Sequence, residues 1–202
     1  VIDLIERPGR KPEFKTAQRI LDMATGTGDL AIALARRIDN ATICGADLSP
    51  EMLAVAKRKV EQQGLDERIT LTECDAEHID MASESVDAVT VAFGVRNFEN
   101  IERGISEIYR TIKPGGKLIV LEFSMPKNSI VRWIYRQYAH RLLPRIGGMI
   151  SKDKQAYVYL PESIDEFPAP ERFVEILKSV GFKDVKRRKQ SFGVAHIYEA
   201  VK

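Results

Sequence analysis

A chain of 202 residues with 44% hydrophobic and 30% charged residues is long enough for one domain with a substantial core and too short for two of ordinary size. No apolar run approaches the ~18 residues of a membrane span, and a formal net charge of +2 excludes a uniformly basic or acidic protein. The charge is uneven: residues 127 to 154 hold seven Lys/Arg against Asp153 alone, a local +6 that leaves the remainder at −4.

The two cysteines, Cys44 and Cys74, fall at predicted buried strands, where an unmodified thiol acts as a small apolar side chain; this favours a reducing, cytoplasmic compartment. The chain opens at Val1 rather than methionine, so residues upstream are expected and the start leaves targeting open.

In chain order, Val1 to Ile5 reads as the tail of a helix and Arg7 to Glu13, with Pro8, Gly9 and Pro12, as a connector. Ile20 to Ala24 is apolar enough for a buried parallel strand, and Ala31 to Ile38 has helical spacing. Between them Gly26-Thr27-Gly28 makes a turn. Lacking a Cβ, Gly26 and Gly28 let a ligand lie on the backbone beside the unpaired N–H groups of the next helix. Gly26 to Ala31 also satisfies the dinucleotide pattern Gly-x-Gly-x-x-Gly/Ala, so the turn alone does not choose the ligand.

Ala41 to Asp47 reads as a second strand ending in an acid. Ser49 caps the next helix, Pro50 suits its first turn, Met52, Ala56 and Val60 form its apolar stripe, and Gly64 stops it. Strands follow at Ile69 to Cys74, ending at Asp75, and at Val86 to Phe93. A helix spans Ile101 to Ile112, and Lys113-Pro114-Gly115-Gly116 turns the chain into a fifth strand, Lys117 to Phe123. The alternation implies a Rossmann-like α/β fold with its ligand crevice at the carboxyl ends of the strands.

After Ser124 the rhythm changes. Ile130 to Leu143 reads as a basic, aromatic helix, followed by a polar, Tyr-rich stretch to Pro161; residues 125–168 are expected to form a substrate-side insertion within one domain, 1–202. Pro170 to Val180 reads as a helix ending at Gly181. Phe182 to Arg188 and Phe192 to Val201 complete a mostly parallel, seven-stranded sheet with an antiparallel hairpin.

Three acids fall at strand ends on the ligand edge. Asp47 lies 19 residues past Gly28, the spacing at which an acid accepts both hydroxyls of a ribose, with a helix-cap role beside Ser49 as the alternative. Asp75, with Ala76, sits one strand further, where a carboxylate accepts from an adenine amino group; the alternative is an exposed loop acid. Asp29 suits a helix N-terminus but is an awkward neighbour for a pyrophosphate. S-adenosyl-L-methionine, with its zwitterionic amino-acid part and sulfonium, tolerates Asp22 and Asp29 better than NAD does.

Leu21 to Leu30, Asp47 with Ser49 and Met52, Phe93-Gly94-Val95-Arg96-Asn97-Phe98, Leu118 to Ser124, and the stretch Lys154 to Pro168 together resemble the MenG/UbiE family of quinone-ring C-methyltransferases in menaquinone and ubiquinone biosynthesis. The similarity runs from Ile20 to Val201. It implies a class I S-adenosyl-L-methionine-dependent methyltransferase fold, with Thr27, Asp47 and the pair Asp75-Ala76 at the family's cofactor positions, beside the turn glycines Gly26 and Gly28. The implied substrate is a polyprenyl hydroquinone of the demethylmenaquinol type; a ubiquinone precursor, or a catalytically silent subunit of the same fold, is the alternative. Ala92 stands where some members carry a serine, and the helical segment with a Tyr-Asp pair that precedes the family's first strand is lacking here.

For the chemistry, a hydroquinol ring carbon becomes nucleophilic when a phenolate oxygen donates into the ring, so the site needs a group that stabilises the phenolate. Arg96 and Asn97 are the candidates, against a structural pairing of Arg96 with a carboxylate. The base is water, His196 or a residue of the missing segment. Tyr157 and Tyr159 either line a ring pocket or pack ordinarily. Residues 127–150 read either as an amphipathic contact with a membrane or as a lid with a solvated basic face. No Cys/His cluster has metal-ligand spacing, and one basic helix in an otherwise acidic domain does not make a nucleic-acid footprint. Oligomeric state is left open, a homodimer included.

Overall fold

The computed structural model describes residues 18–125, 163–164 and 166–202. The helices expected at 1–5 and 130–143, most of the 125–168 insertion, and Tyr157 and Tyr159 lie outside the described residues.

A seven-stranded sheet runs in the order β3-β2-β1-β4-β5-β7-β6. Its strands are β1 (Gln18–Met23), β2 (Ala41–Asp47), β3 (Ile69–Glu73), β4 (Val86–Ala92), β5 (Ile112–Phe123), β6 (Lys183–Gln190) and β7 (Ala195–Val201). The first five pair in parallel, and β7 runs antiparallel to both β5 and β6. Among the described residues, four helices cover the faces: α1 (Asp29–Arg37), α2 (Pro50–Gln62), α3 (Ile101–Thr111) and α4 (Pro170–Val180).

The inner strands are apolar almost without a break because both their faces are covered. Leu21, Met23, Val89, Val91 and Val120 point into one core with Ile105 and Ile108 of α3 and Phe173 and Leu177 of α4. Ile20, Ile43, Ala88 and Ile119 point the other way, to Ile32 and Leu34 of α1 and Val60 of α2. Sheet order reverses between β1 and β4, so a crevice opens at their carboxyl ends.

Two boundaries differ from the sequence reading by three residues or more, the others by two at most. β5 begins at Ile112, and Lys113 to Gly116 forms a bulge inside it: pairing jumps from Val86–Ile112 to Ala88–Lys117, with Gly115 at φ 78°. The last strand begins at Ala195 because Ser191, Phe192 and Gly193 all take positive φ and close a tight turn before pairing resumes.

Candidate functional site

The glycine turn is locked to the end of β2 by Asp47. Its Oδ2 accepts the Gly26 N–H at 2.7 Å and its Oδ1 accepts the Ser49 N–H at 2.9 Å. A carboxylate oxygen has two acceptor directions, so one on each oxygen is left for a vicinal diol. Capping of α2 falls to the Ser49 hydroxyl, which accepts from Met52 N–H at 3.2 Å. Gly26 has φ 56° and a Cβ there would meet nothing within 4 Å, so the turn leaves room above the backbone. Gly28, at φ 79°, is needed for packing as well, since a Cβ would lie 3.0 Å from Ala56 Cβ of α2.

Beneath the turn, fully buried Asp22 accepts the hydroxyls of Thr25 and Thr90, each at 2.6 Å. Burial pushes its pKa up to about 6, the two hydroxyls pulling the other way. On the outer side, Lys59 of α2 donates to Thr27 Oγ1 at 3.0 Å and pairs with Asp29 at 2.9 Å, while the Thr27 hydroxyl donates to Asp29 Oδ2 at 2.8 Å. The Lys59 ammonium, first among the causes, holds the Asp29 carboxyl below its usual range. Thr27 is therefore fixed by a network that joins α1 to α2.

The crevice is a cavity of about 400 Å³ running from Met23, Ala24 and Asp47 to Asp75, Ala76 and Asn97. Among the described residues its lining carries four carboxylates, Asp47, Asp75, Glu77 and Glu99, and no lysine, arginine or histidine. Ala24 and Phe93, the first residues past β1 and β4, both have positive φ, at 55° and 58°. Such strained non-glycine backbone concentrates at functional sites. Gly94 is required here, because a Cβ would come within 2.3 Å of Ala24 Cβ. Asp75 Oδ1 accepts the Glu77 N–H at 2.9 Å, and Ala76 is buried. Sequence reasoning missed Leu48, an apolar side chain 66% exposed between Asp47 and the α2 cap; its signal was an exposed leucine directly after a strand-end acid.

Arg96 and Asn97 share a single 3-10 turn, Val95–Asn97, yet face different spaces. Asn97 lines the acidic cavity, whereas Arg96 borders a neighbouring one of about 450 Å³ that shares Phe98 and Glu99 with the first. The Arg96 guanidinium donates to Glu122 Oε1 at 2.9 Å and to Phe93 O. Glu122 also accepts the Arg96 and Phe123 main-chain N–H groups, at 3.2 and 2.9 Å. The Glu122 side chain is fully buried, which raises its pKa, and the Arg96 charge opposes that rise. Arg96 Nε is buried with no hydrogen-bond partner among the described residues. The guanidinium lies 5.6 Å from the centre of the Phe123 ring, which stacks on Phe93 at 4.2 Å. His196 is buried beside Ser124, its Nδ1 2.7 Å from the Ser124 hydroxyl.

The chain is similar to known proteins along most of its length. The model of the ubiE/COQ5 methyltransferase family matches residues 9–202. A Thermus thermophilus protein named demethylmenaquinone methyltransferase is 47% identical over 91% of the chain and 82% of its own length. A Geobacter sulfurreducens protein named ubiquinone/menaquinone biosynthesis C-methyltransferase UbiE is 43% identical over 91% and 72%. Among solved structures, a SAM-dependent methyltransferase from Aquifex aeolicus superposes with a TM-score of 0.67 at 18% identity, covering 92% of this chain and 82% of that one, a likeness of fold. The match along residues 9–202, with relatives 43–47% identical over 91% of the chain, places this chain in the ubiE/COQ5 methyltransferase family.

Proposed function

We propose that the chain transfers a methyl group from S-adenosyl-L-methionine to a ring carbon of a demethylmenaquinol-type polyprenyl hydroquinone. The observation that carries the cofactor half is the crevice lining, four carboxylates without one cation among the described residues. A pyrophosphate would be repelled there, whereas a sulfonium and an α-amino group would be attracted. Asp47 is the group for the ribose hydroxyls, Leu48 offers an apolar face to a purine, Asp75 and Ala76 border the adenine end, and Gly26 to Gly28 lie under the amino-acid part. Bound there, the cofactor supplies an electrophilic methyl on positively charged sulfur.

The substrate half follows from the Val95–Asn97 turn and the names of the relatives. The cofactor belongs on the Asn97 side and the hydroquinol on the Arg96 side, against the Phe93–Phe123 stack. A positive guanidinium there lowers the energy of the phenolate whose electrons make the ring carbon nucleophilic. Glu122 holds that guanidinium in place and neutralises part of its charge. Formation of the new C–C bond would be matched by cleavage of the sulfur–methyl bond, whose electron pair stays on sulfur, and the ring carbon would then release its proton to water, which restores aromaticity. The basic segment 127–150, outside the described residues, is proposed to face the membrane that holds the prenyl tail.

Methyl transfer from labelled cofactor to reduced demethylmenaquinone, with oxidised demethylmenaquinone and a reduced ubiquinone precursor as parallel substrates, tests the proposal. Labelling of the reduced demethylmenaquinone alone supports it. Preference for the ubiquinone precursor moves the reaction to the other substrate, and cofactor binding without turnover on any of them leaves a silent subunit.

A further inference from the structure

The turn between β6 and β7 carries a feature that methyl transfer does not use. Phe192 is 92% exposed, the most exposed large apolar side chain among the described residues. The other two, Leu48 and Met52, lie at the cofactor crevice and the start of α2, whereas Phe192 lies beside neither. Its backbone is held in the left-handed region at φ 58°, between Ser191 at 46° and Gly193 at 94°. A bulky L residue is strained in that conformation and keeps it only where surrounding structure enforces it. The enforcement is visible: Ser124, just past β5, donates its N–H to Val194 O and its hydroxyl to Gly193 O, both at 2.9 Å. A rigid base thus presents an aromatic ring to solvent.

The strand leading to this tip is basic. β6 holds Lys183, Lys186, Arg187, Arg188 and Lys189 against Asp184, a net +4 over eight residues, and it forms the open edge of the sheet. Arg187 is committed to Glu171 at 2.9 Å; Lys186, Arg188 and Lys189 are exposed. Because β7 is antiparallel to β5, the tip stands at the same edge of the sheet as the crevice and the Arg96 turn. We propose that the β6–β7 hairpin is a docking surface for an anionic lipid bilayer, with Phe192 entering the headgroup–acyl boundary and Lys186, Arg188 and Lys189 meeting the lipid phosphates.

An aromatic ring suits the interface between water and hydrocarbon, and each cation near an anionic leaflet adds about fivefold to partitioning. Such docking turns the active-site edge towards the phase in which a prenylated quinol dissolves. The purpose rests on the substrate reading above; the contact itself does not.

Flotation of the full chain with phosphatidylglycerol/phosphatidylcholine vesicles, without substrate, is the test. Neutralising Lys186, Arg188 and Lys189 together is expected to cut binding by about a hundredfold, and Phe192→Ser to reduce it further. Phe192→Trp, in a Trp133→Phe background so that it is the sole indole, is expected to blue-shift its emission on anionic vesicles and not on phosphatidylcholine alone. Methyl transfer from labelled cofactor to a demethylmenaquinol analogue without a tail is expected to be unchanged in Phe192→Ser, which separates failure of the surface from failure of the catalytic reading. Unshifted indole emission from the Phe192→Trp variant overturns the proposal. So does vesicle binding that survives all hairpin changes but is lost on charge reversal at Arg132 and Arg136, or a hairpin that binds nucleic acid or a second copy of the chain while ignoring vesicles.

Discussion

Arg96 and Glu122 form an ion pair at 2.9 Å in which the carboxylate is wholly buried and the guanidinium nearly so. The pair joins the Phe93-Gly94-Val95-Arg96-Asn97 turn to the end of β5, and it explains an acid in the apolar run Leu118 to Phe123. Removing only one partner strands a buried charge, at a cost of ~3–5 kcal/mol. Arg96→Met alone is therefore expected to be less stable as well as slow. The double variant Arg96→Met/Glu122→Gln is expected to regain stability in urea titrations while kcat stays about 10² to 10³ below the parent. Recovery of rate along with stability would make Arg96 a purely structural partner.

Asp47 supports the turn and is proposed to hold the ribose. Asp47→Ala is expected to weaken S-adenosyl-L-methionine binding by about 1.5–3 kcal/mol, the range for hydrogen bonds to a charged group, as read by calorimetry. Asp75→Ala is expected to lose less, since it is proposed to meet a single amino group. A larger loss at Asp75 would reverse the orientation of the cofactor in the crevice.

Gly94→Ala introduces a Cβ 2.3 Å from Ala24 Cβ, at the point where the turns after β1 and β4 meet. Backbone has to move on at least one side. Loss of cofactor affinity together with a lowered Tm is the expected result, whereas Gly26→Ala, with open space around it, is expected to lose affinity through its positive φ and the blocked ligand surface with less loss of Tm. Equal melting losses would contradict that division.

Asp22 gives a pH signature. Its pKa rises from 3.8 to about 6 on folding, so between those values the folded chain keeps a proton that the unfolded chain has released. Its contribution is neutral below the unfolded value and becomes unfavourable as pH rises through the window, by ~3 kcal/mol once both states are ionised. Asp22→Asn removes this slope, whatever constant offset its altered bonds to Thr25 and Thr90 introduce. Urea unfolding from pH 4 to 7 is expected to show the variant gaining on the parent over that range; parallel curves would mean that Asp22 ionises as freely folded as unfolded.

The fold was legible where local chemistry decides it. Ser49 and Pro50 mark the start of α2, Pro170 and Gly181 bound α4, and the apolar runs of β1, β2 and β4 announce strands covered on both faces. Asp47 and Asp75 were legible as strand-end acids because their spacing from the glycine turn is a property of the chain. The rest depends on partners distant in sequence. Glu122 meets Arg96 from 26 residues away, and Lys59 reaches Thr27 across 32. The Lys113–Gly116 stretch looks like a turn, yet it stays in the sheet as a bulge because β4 and β7 flank it. The delayed start of β7 reflects three consecutive positive φ values fixed by Ser124, which no local propensity indicates.

The proposed reaction is carbon methylation of a reduced quinone at the acidic crevice. The most direct measurement supplies S-adenosyl-L-methionine carrying a ¹³C-methyl group with reduced demethylmenaquinone and locates the label in the product by NMR. The expected product carries a ¹³C-methyl on the quinone ring carbon, formed only from the reduced substrate and lost in Asp47→Ala at limiting cofactor. A ¹³C-methoxy signal, or equal labelling of the oxidised quinone, would contradict it.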